Sequence, residues 1–274
     1  MTNNLDIFNL NIEDFKAPEK KKKASDLYLT DPKLAKDSVY TATIRFLFNI
    51  KDPKKSMIKH SQYWLEDKDH NIAFSASCPS SIGENSIIGA TYKKLADSTN
   101  AWDKKQAEKL KRKDYFYSYV YVIKDSQRPD LENTIQIFRY PKAIHKMILN
   151  NLQPTKEELE QGIEACNVFD LLEGKNFLVK TTIKSGYWNY DECKFLDKTM
   201  PLAIAGEKMT NSKESTEKFL ALYNDAPAIE DHEYKPRTEE IQAKVFHYLS
   251  ILTGSEVKGK DLDTVSKKPQ TSEP

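Results

Sequence analysis

The residues with the most evident chemistry lie between Lys109 and Asp125, in the stretch KLKRKDYFYSYVYVIKD. A basic cluster (Lys109, Lys111, Arg112, Lys113) runs directly into five aromatic residues at short spacing: Tyr115, Phe116, Tyr117, Tyr119 and Tyr121. Cations next to flat rings suit a negatively charged chain of stackable groups. Single-stranded nucleic acid is such a ligand, because its phosphates attract Lys and Arg while its unstacked bases expose their faces to aromatic side chains. An amphipathic strand with tyrosines packed on a neighbouring layer accounts for the stretch equally well, so the elements around it must decide.

Net charge is +1 and a basic groove would be unexpected if the charge were evenly spread, but it is not. Eleven Lys or Arg between Lys104 and Lys146 face five acids, a local excess of +6. Composition, at 39% hydrophobic and 30% charged, describes a soluble chain. No apolar run approaches the roughly 20 residues of a membrane-spanning helix, and no secretory start is apparent, so no membrane role is expected. Cys78, Cys166 and Cys193 are far apart with no C-x-x-C, which argues against a disulfide framework or redox pair and for a reducing cytoplasm.

The positioning elements read as mainly β with interposed helices. VYTATIRFLF (39–48) alternates with the period of a strand, with Arg45 on its more polar face. Met57–Leu65 and Asn71–Ser77 read as strands across a polar turn, and Ser77–Thr91 as a Gly- and Ser-rich loop. Trp102–Leu110 reads as a short helix, and Thr134–Tyr140 as the return strand of a hairpin with the aromatic stretch. Pro141–Asn150 is helical behind an N1 proline, and Thr155 with Glu158 makes a capping box. Phe177–Lys184 and Tyr187–Phe195 form a hairpin split at Ser185-Gly186, and a helix runs from Thr238 to Leu252 with Gly254 as its stop. This pattern predicts an OB-fold-type barrel core plus a helical/loop subdomain. Residues 1–37 are expected to be a mobile arm, 38–254 the core and 255–274 a disordered tail.

Five segments then resemble, in order, the single-stranded DNA-binding protein family of T-even-type bacteriophages: TATIRFLF (41–48), KRKDYFYSYVYVIKD (111–125), IFRYPKAIHKMI (137–148), EGKNFLVK (173–180) and SGYWNYDECKFL (185–196). The resemblance spans roughly Val39 to Leu252. It implies an OB-fold core that coats single-stranded DNA without strong sequence preference during phage DNA replication, recombination and repair, in the cytoplasm of the infected host. It implies no enzymatic activity. Carried onto this chain, it assigns phosphate contact to Lys111, Arg112 and Lys113 with Arg45, and base stacking or groove lining to Phe116, Tyr117, Phe138, Tyr187 and Tyr190. Arg139 joins the same DNA-binding set. Tyr119 and Tyr121 are left as structural. Implied partners are single-stranded DNA, further copies along the strand, and phage replication and recombination proteins.

The resemblance also implies a zinc site built from a His, a Cys and a later C-x-x-C type pair. Only His60 and Cys78 of that set are present, and Ile88-Gly89-Ala90-Thr91 stands where the pair belongs. Structural zinc takes four ligands, so no cofactor is expected, and His60 and Cys78 become packing residues unless His70 or a carboxylate completes another set. The family's basic N-terminal motif has a counterpart in Lys20–Lys23 with Ser25, set behind an acidic segment. Among rival classes, Gly254–Lys260 reads G-x-x-x-x-G-K, but Asp261 replaces the hydroxyl residue of a phosphate loop. Asp191 and Glu192 are the nearest carboxylates for a metal-dependent nuclease, and an RNA-binding or protein-interaction module has the same stacking surface.

The acidic and apolar peptide Leu5–Phe15 has the composition of a segment that competes with nucleic acid for a basic groove. Deletion of residues 1–17 is expected to tighten single-strand binding at low salt, read by titration; an unchanged affinity refutes this.

Overall fold

The structure is a computed structural model that describes residues 27–255 and residue 257; the acidic peptide, the lysine run and nearly all of the expected tail lie outside the described residues. In chain order the elements are β1 (Leu27–Tyr28), β2 (Val39–Leu47), β3 (Ile58–Asp67), β4 (Ile72–Ser77), α1 (Ile87–Ala96), α2 (Ala101–Glu108), β5 (Arg112–Asp125), β6 (Ile135–Pro141), α3 (Lys142–Leu152), α4 (Lys156–Glu160), β7 (Lys175–Lys184), β8 (Tyr187–Asn189), β9 (Lys194–Thr199), β10 (Ala203–Ile204), β11 (Glu207–Lys208), α5 (Lys213–Asn224) and α6 (Glu239–Thr253). The fold is mainly β with helices interposed. The chain divides into two compact units, one of residues up to 58 with 115–233, the other of 59–114 with the residues from 234 onward.

In the first unit the strands follow the path β1-β6-β5-β2-β7-β8, and β9 also pairs with β7. The β5–β6 hairpin runs from Tyr115↔Pro141 to Tyr121↔Ile135. β2 lies between β5 and β7, antiparallel to both. β1, within the stretch expected to be an arm, pairs in parallel with β6. Two apolar clusters form around this sheet. Tyr40, Ala42, Ile44 and Phe46 of β2 join Phe116, Val120 and Val122 of β5 in one. Tyr117, Tyr119 and Tyr121 of β5 join Leu47, Ile135 and Phe219 in the other. Alternation sends successive β5 side chains to opposite faces, and both faces are covered.

The second unit holds the β3–β4 hairpin, with Gln62↔Ser77 to Asp67↔Ile72 in register. Tyr63, Leu65, Ala76, Cys78, Ile88, Leu95 and Ala107 share a cluster with Val245, Tyr248 and Leu249, so α6 completes the core of this unit.

Local signals explain the helix boundaries. Part of the expected 77–91 loop is helical instead, because the Ser86 hydroxyl caps α1 by accepting from the Gly89 amide. Pro141 occupies the cap position of α3, one residue before the first turn. The Thr155–Glu158 capping box is present at α4. Gly254 ends α6 with φ 65°, a left-handed conformation that favours glycine. The expected second strand of the β7 hairpin is interrupted at residues 190–193 and resumes as β9. α5, capped by Ser212, went unread in the sequence.

A buried carboxylate ties the first unit together. Asp125 is fully buried. Its Oδ2 accepts from Tyr28 Oη at 2.6 Å and from the Tyr40 hydroxyl, and its Oδ1 accepts from the amides of Gln127 and Arg128 at 2.9 Å each. One side chain thereby secures β1, β2 and the turn into β6. Asp125→Ala leaves these donors unpaired and is expected to destabilise the chain by about 2–4 kcal/mol in denaturant unfolding; a loss below about 1 kcal/mol would refute the role.

Candidate nucleic-acid interface

The head of β5 belongs to the second unit and presents the basic run to solvent. Lys111, Arg112 and Lys113 are all exposed. Lys111 pairs with Glu108 at 2.5 Å. Arg112 Nε pairs with Asp114 at 2.9 Å, and its Nη1 donates to Ser80 Oγ at 2.7 Å, which holds the guanidinium in one orientation. Asp114 also accepts from Ser61 Oγ at 2.7 Å and lies 3.6 Å from Lys59 Nζ. Burial pushes the Asp114 carboxyl up, but Ser61, Arg112 and Lys59 outweigh it and hold the group below its ordinary value. Lys113 has no ion-pair partner among the described residues.

The remaining candidates lie in the first unit. Tyr187 is 79% exposed, at the start of β8 and directly across from Lys184. Ser185 and Gly186 form the tight turn between them with φ of 51° and 81°. Arg139 sits opposite Tyr117 in the β5–β6 register, and its guanidinium lies 4.9 Å from the Tyr115 ring centroid. Burial raises the phenols of Tyr117 and Tyr190, the latter to about 12, and the charge of Arg139 acts against that rise in both. The structure thus places Tyr115, Tyr117 and Tyr190 near the Arg139 cation. Tyr115 was in the aromatic stretch but not among the assigned residues; its half-buried place beside Arg139 depends on the hairpin register, which the sequence does not state.

Four candidates, Arg45, Phe116, Tyr117 and Phe138, are placed inside the protein. Arg45, expected on a polar face, is fully buried. Its Nε donates to Asn176 Oδ1 (2.9 Å), Nη1 to the Asp170 carbonyl (3.1 Å) and Nη2 to the Met200 carbonyl (3.0 Å). Burial pulls the guanidinium down to about 10, and this placement corrects the phosphate role. Gly174 makes the seat: a Cβ there would come within 2.3 Å of the Asp170 carbonyl and 2.7 Å of Arg45 Nη1. Phe138 is 1% exposed among Tyr28, Phe46 and Tyr140, which removes it from the stacking set. Phe116 is likewise buried, stacked on His145 with centroids 3.8 Å apart. Tyr117, assigned to base stacking, is also buried at 6% exposure and stacks on His232 with centroids 4.6 Å apart, so its ring is engaged inside the protein. The structural reading of Tyr119 and Tyr121 agrees with their burial; Tyr119 donates to the Pro227 carbonyl and Tyr121 to Asn133.

The residues at the implied zinc position do not fit the metal. The Cys78 thiol is buried beside Tyr63 Oη (3.4 Å) and Ser80 Oγ (3.0 Å). His60 stands on the alternate face of β3 from Ser61, Tyr63 and Leu65. Ile88, where a ligand would be needed, is a fully buried core residue. His70 pairs with Asp67. Among the described residues no three His, Cys, Asp or Glu side chains converge on a metal position. Of the nuclease carboxylates, Glu192 pairs with Lys180 and Asp191 accepts from Asn189.

An exposed basic run leading into an aromatic strand, on a mainly β framework, describes a nucleic-acid-binding protein. The chain belongs to the gp32 DNA binding protein like family, whose family model matches residues 39–248. This is a family of DNA-binding proteins, not of enzymes. It is similar to the single-stranded DNA-binding proteins of Enterobacteria phages T4 and T2, in each case 29% identical over 162 residues, which cover 58% of this chain and 51% of the relative. The chain spans about half the length of these curated relatives. No helix among the described residues is long and apolar enough to cross a membrane.

Because the second unit fills the implied metal position with apolar packing, a zinc chelator is expected to leave the melting temperature of the full chain unchanged. A fall of several degrees on chelation, restored by zinc, would overturn this.

Proposed function

We propose that this chain binds single-stranded DNA and coats it with little sequence preference. The observation that carries the reading is the exposed run Lys111, Arg112 and Lys113 at the head of the aromatic strand in a DNA-binding family. The phosphates of the strand meet these cations, a contact common to all sequences and weakened by salt. Bases stack on exposed or half-exposed rings, chiefly Tyr187, with Tyr115 and Tyr190 beside Arg139. The core that carries the strand is of the OB type, an architecture that recurs in single-strand binding. The phage T4 and T2 relatives are single-stranded DNA-binding proteins, which supports DNA as the ligand. In this reading the protein protects exposed strands during phage DNA replication, recombination and repair in the host cytoplasm. It associates with further copies along the strand and with the phage replication and recombination proteins.

Titration with a homopolymeric DNA single strand, against the matched duplex and the matched RNA, tests the reading through fluorescence quenching at two salt concentrations. Strong quenching by the DNA single strand, weakened by salt and much smaller with duplex, is expected. Tyr187→Ala should cost about 1–3 kcal/mol of binding at all salts. Lys113→Ala should reduce the slope of log affinity against log salt by about 0.7. Absence of quenching at low salt would refute the function.

A further inference from the structure

The outer face of α2 is a surface that the fold of the second unit does not use. Gln106 and Ala107 are buried, as is Leu110 just beyond the helix. Trp102, Lys105 and Lys109 recur at i, i+3 and i+7 along an exposed side of the helix. Trp102 is 53% exposed, and its backbone amide donates to the capping side chain of Asn100 at 2.8 Å. Lys104, Lys105 and Lys109 have no ion-pair partners among the described residues. The acids nearest in sequence are already occupied: Asp103 accepts from Ser98 Oγ at 2.6 Å, and Glu108 pairs with Lys111. The face is therefore a flat indole followed, one and two turns on, by unneutralised cations.

A solitary exposed tryptophan needs no special account, but this row does. Lysine is depleted in the cores of protein–protein interfaces, so a protein partner is a poor match to a surface that is lysine apart from its one ring. A single strand offers both complements at once, bases for the indole and phosphates for the ammonium groups. The row also continues along the chain. Lys109 is followed at once by Leu110 and then by Lys111, Arg112 and Lys113, within the same unit.

We propose that the outer face of α2 is an additional single-strand contact, in which Trp102 stacks one base and Lys105 and Lys109 each neutralise a phosphate. The inference rests on the single-strand reading above and extends it to a helix that none of the five resembling segments includes. The chain holds three tryptophans, Trp64, Trp102 and Trp188. A full-length variant carrying Trp64→Phe and Trp188→Phe therefore reports on Trp102 alone.

In that variant, titration with a DNA homopolymer at low salt is expected to quench the remaining tryptophan emission. In the otherwise unaltered chain, Trp102→Ala should weaken affinity about 5- to 150-fold, the equivalent of one stacked base, with the salt slope preserved. Lys105→Ala with Lys109→Ala should lower that slope by about 1.4, two single-strand phosphate contacts. Far-UV circular dichroism and the melting temperature, unchanged for substitutions on an exposed face, verify that each variant is folded. If the parent chain binds the strand with salt sensitivity while these variants keep its affinity and slope and Trp102 is not quenched, the α2 contact is overturned and the general reading stands. If the parent chain itself binds no single strand, the general reading fails, and the contact fails with it.

Discussion

The constraint on which the first unit depends is that β5 is covered on both faces. Its even-numbered residues Phe116, Val120 and Val122 enter one apolar cluster, and Tyr117, Tyr119 and Tyr121 enter the other. A strand buried on both faces cannot offer alternate side chains to a ligand, however aromatic it is. Binding chemistry is left to positions where coverage ends, at the exposed basic head of the strand and around the half-buried Tyr115 and Arg139. Most of the aromatic content of β5 stabilises the sheet, at roughly 25 cal/mol for each Å² of apolar surface removed from water. The remainder is available for function.

Polar groups inside this sheet follow the rule that buried charge must be fully partnered. Asp125 accepts from two tyrosine hydroxyls and two backbone amides, and Arg45 donates to one side-chain and two main-chain oxygens. Each links segments remote in sequence. Gly174 belongs to this economy of space, since any side chain there would collide with the Asp170 carbonyl and the Arg45 guanidinium. The EGK turn before β7 therefore serves the seating of an internal cation.

The second unit reaches stability by another route. Where the family resemblance implies a metal, this chain has Ile88 in the core, a buried Cys78 thiol next to Tyr63, and Gly89, whose missing side chain lets the Tyr63 hydroxyl approach α1; a Cβ there would lie 3.2 Å from it. Apolar contacts with α6 complete the cluster. What a zinc ion would do by coordination is done here by packing, and the surface of the unit is left with the basic head of β5 and the lysine row of α2.

Much of this was legible in the residues. The alternation of 39–48, the capping box at Thr155, the Gly254 stop and the basic-to-aromatic order of 109–125 are local signals, and local physics decides strands, caps and turns. The incomplete ligand set at 88–91 was equally plain. What no local signal contained was coverage. Alternation marks two faces of a strand but does not say whether the second is wet, so Arg45, Phe116, Tyr117 and Phe138 read as candidates for the ligand although other elements bury them. For the same reason the return of α6 to the 59–114 segment, the seat that Gly174 makes for Arg45 and the placement of Tyr115 beside Arg139 were decided only by tertiary structure. Each depends on residues distant in the chain arriving at the same place, whereas sequence order by itself determined which residue types were available to meet there.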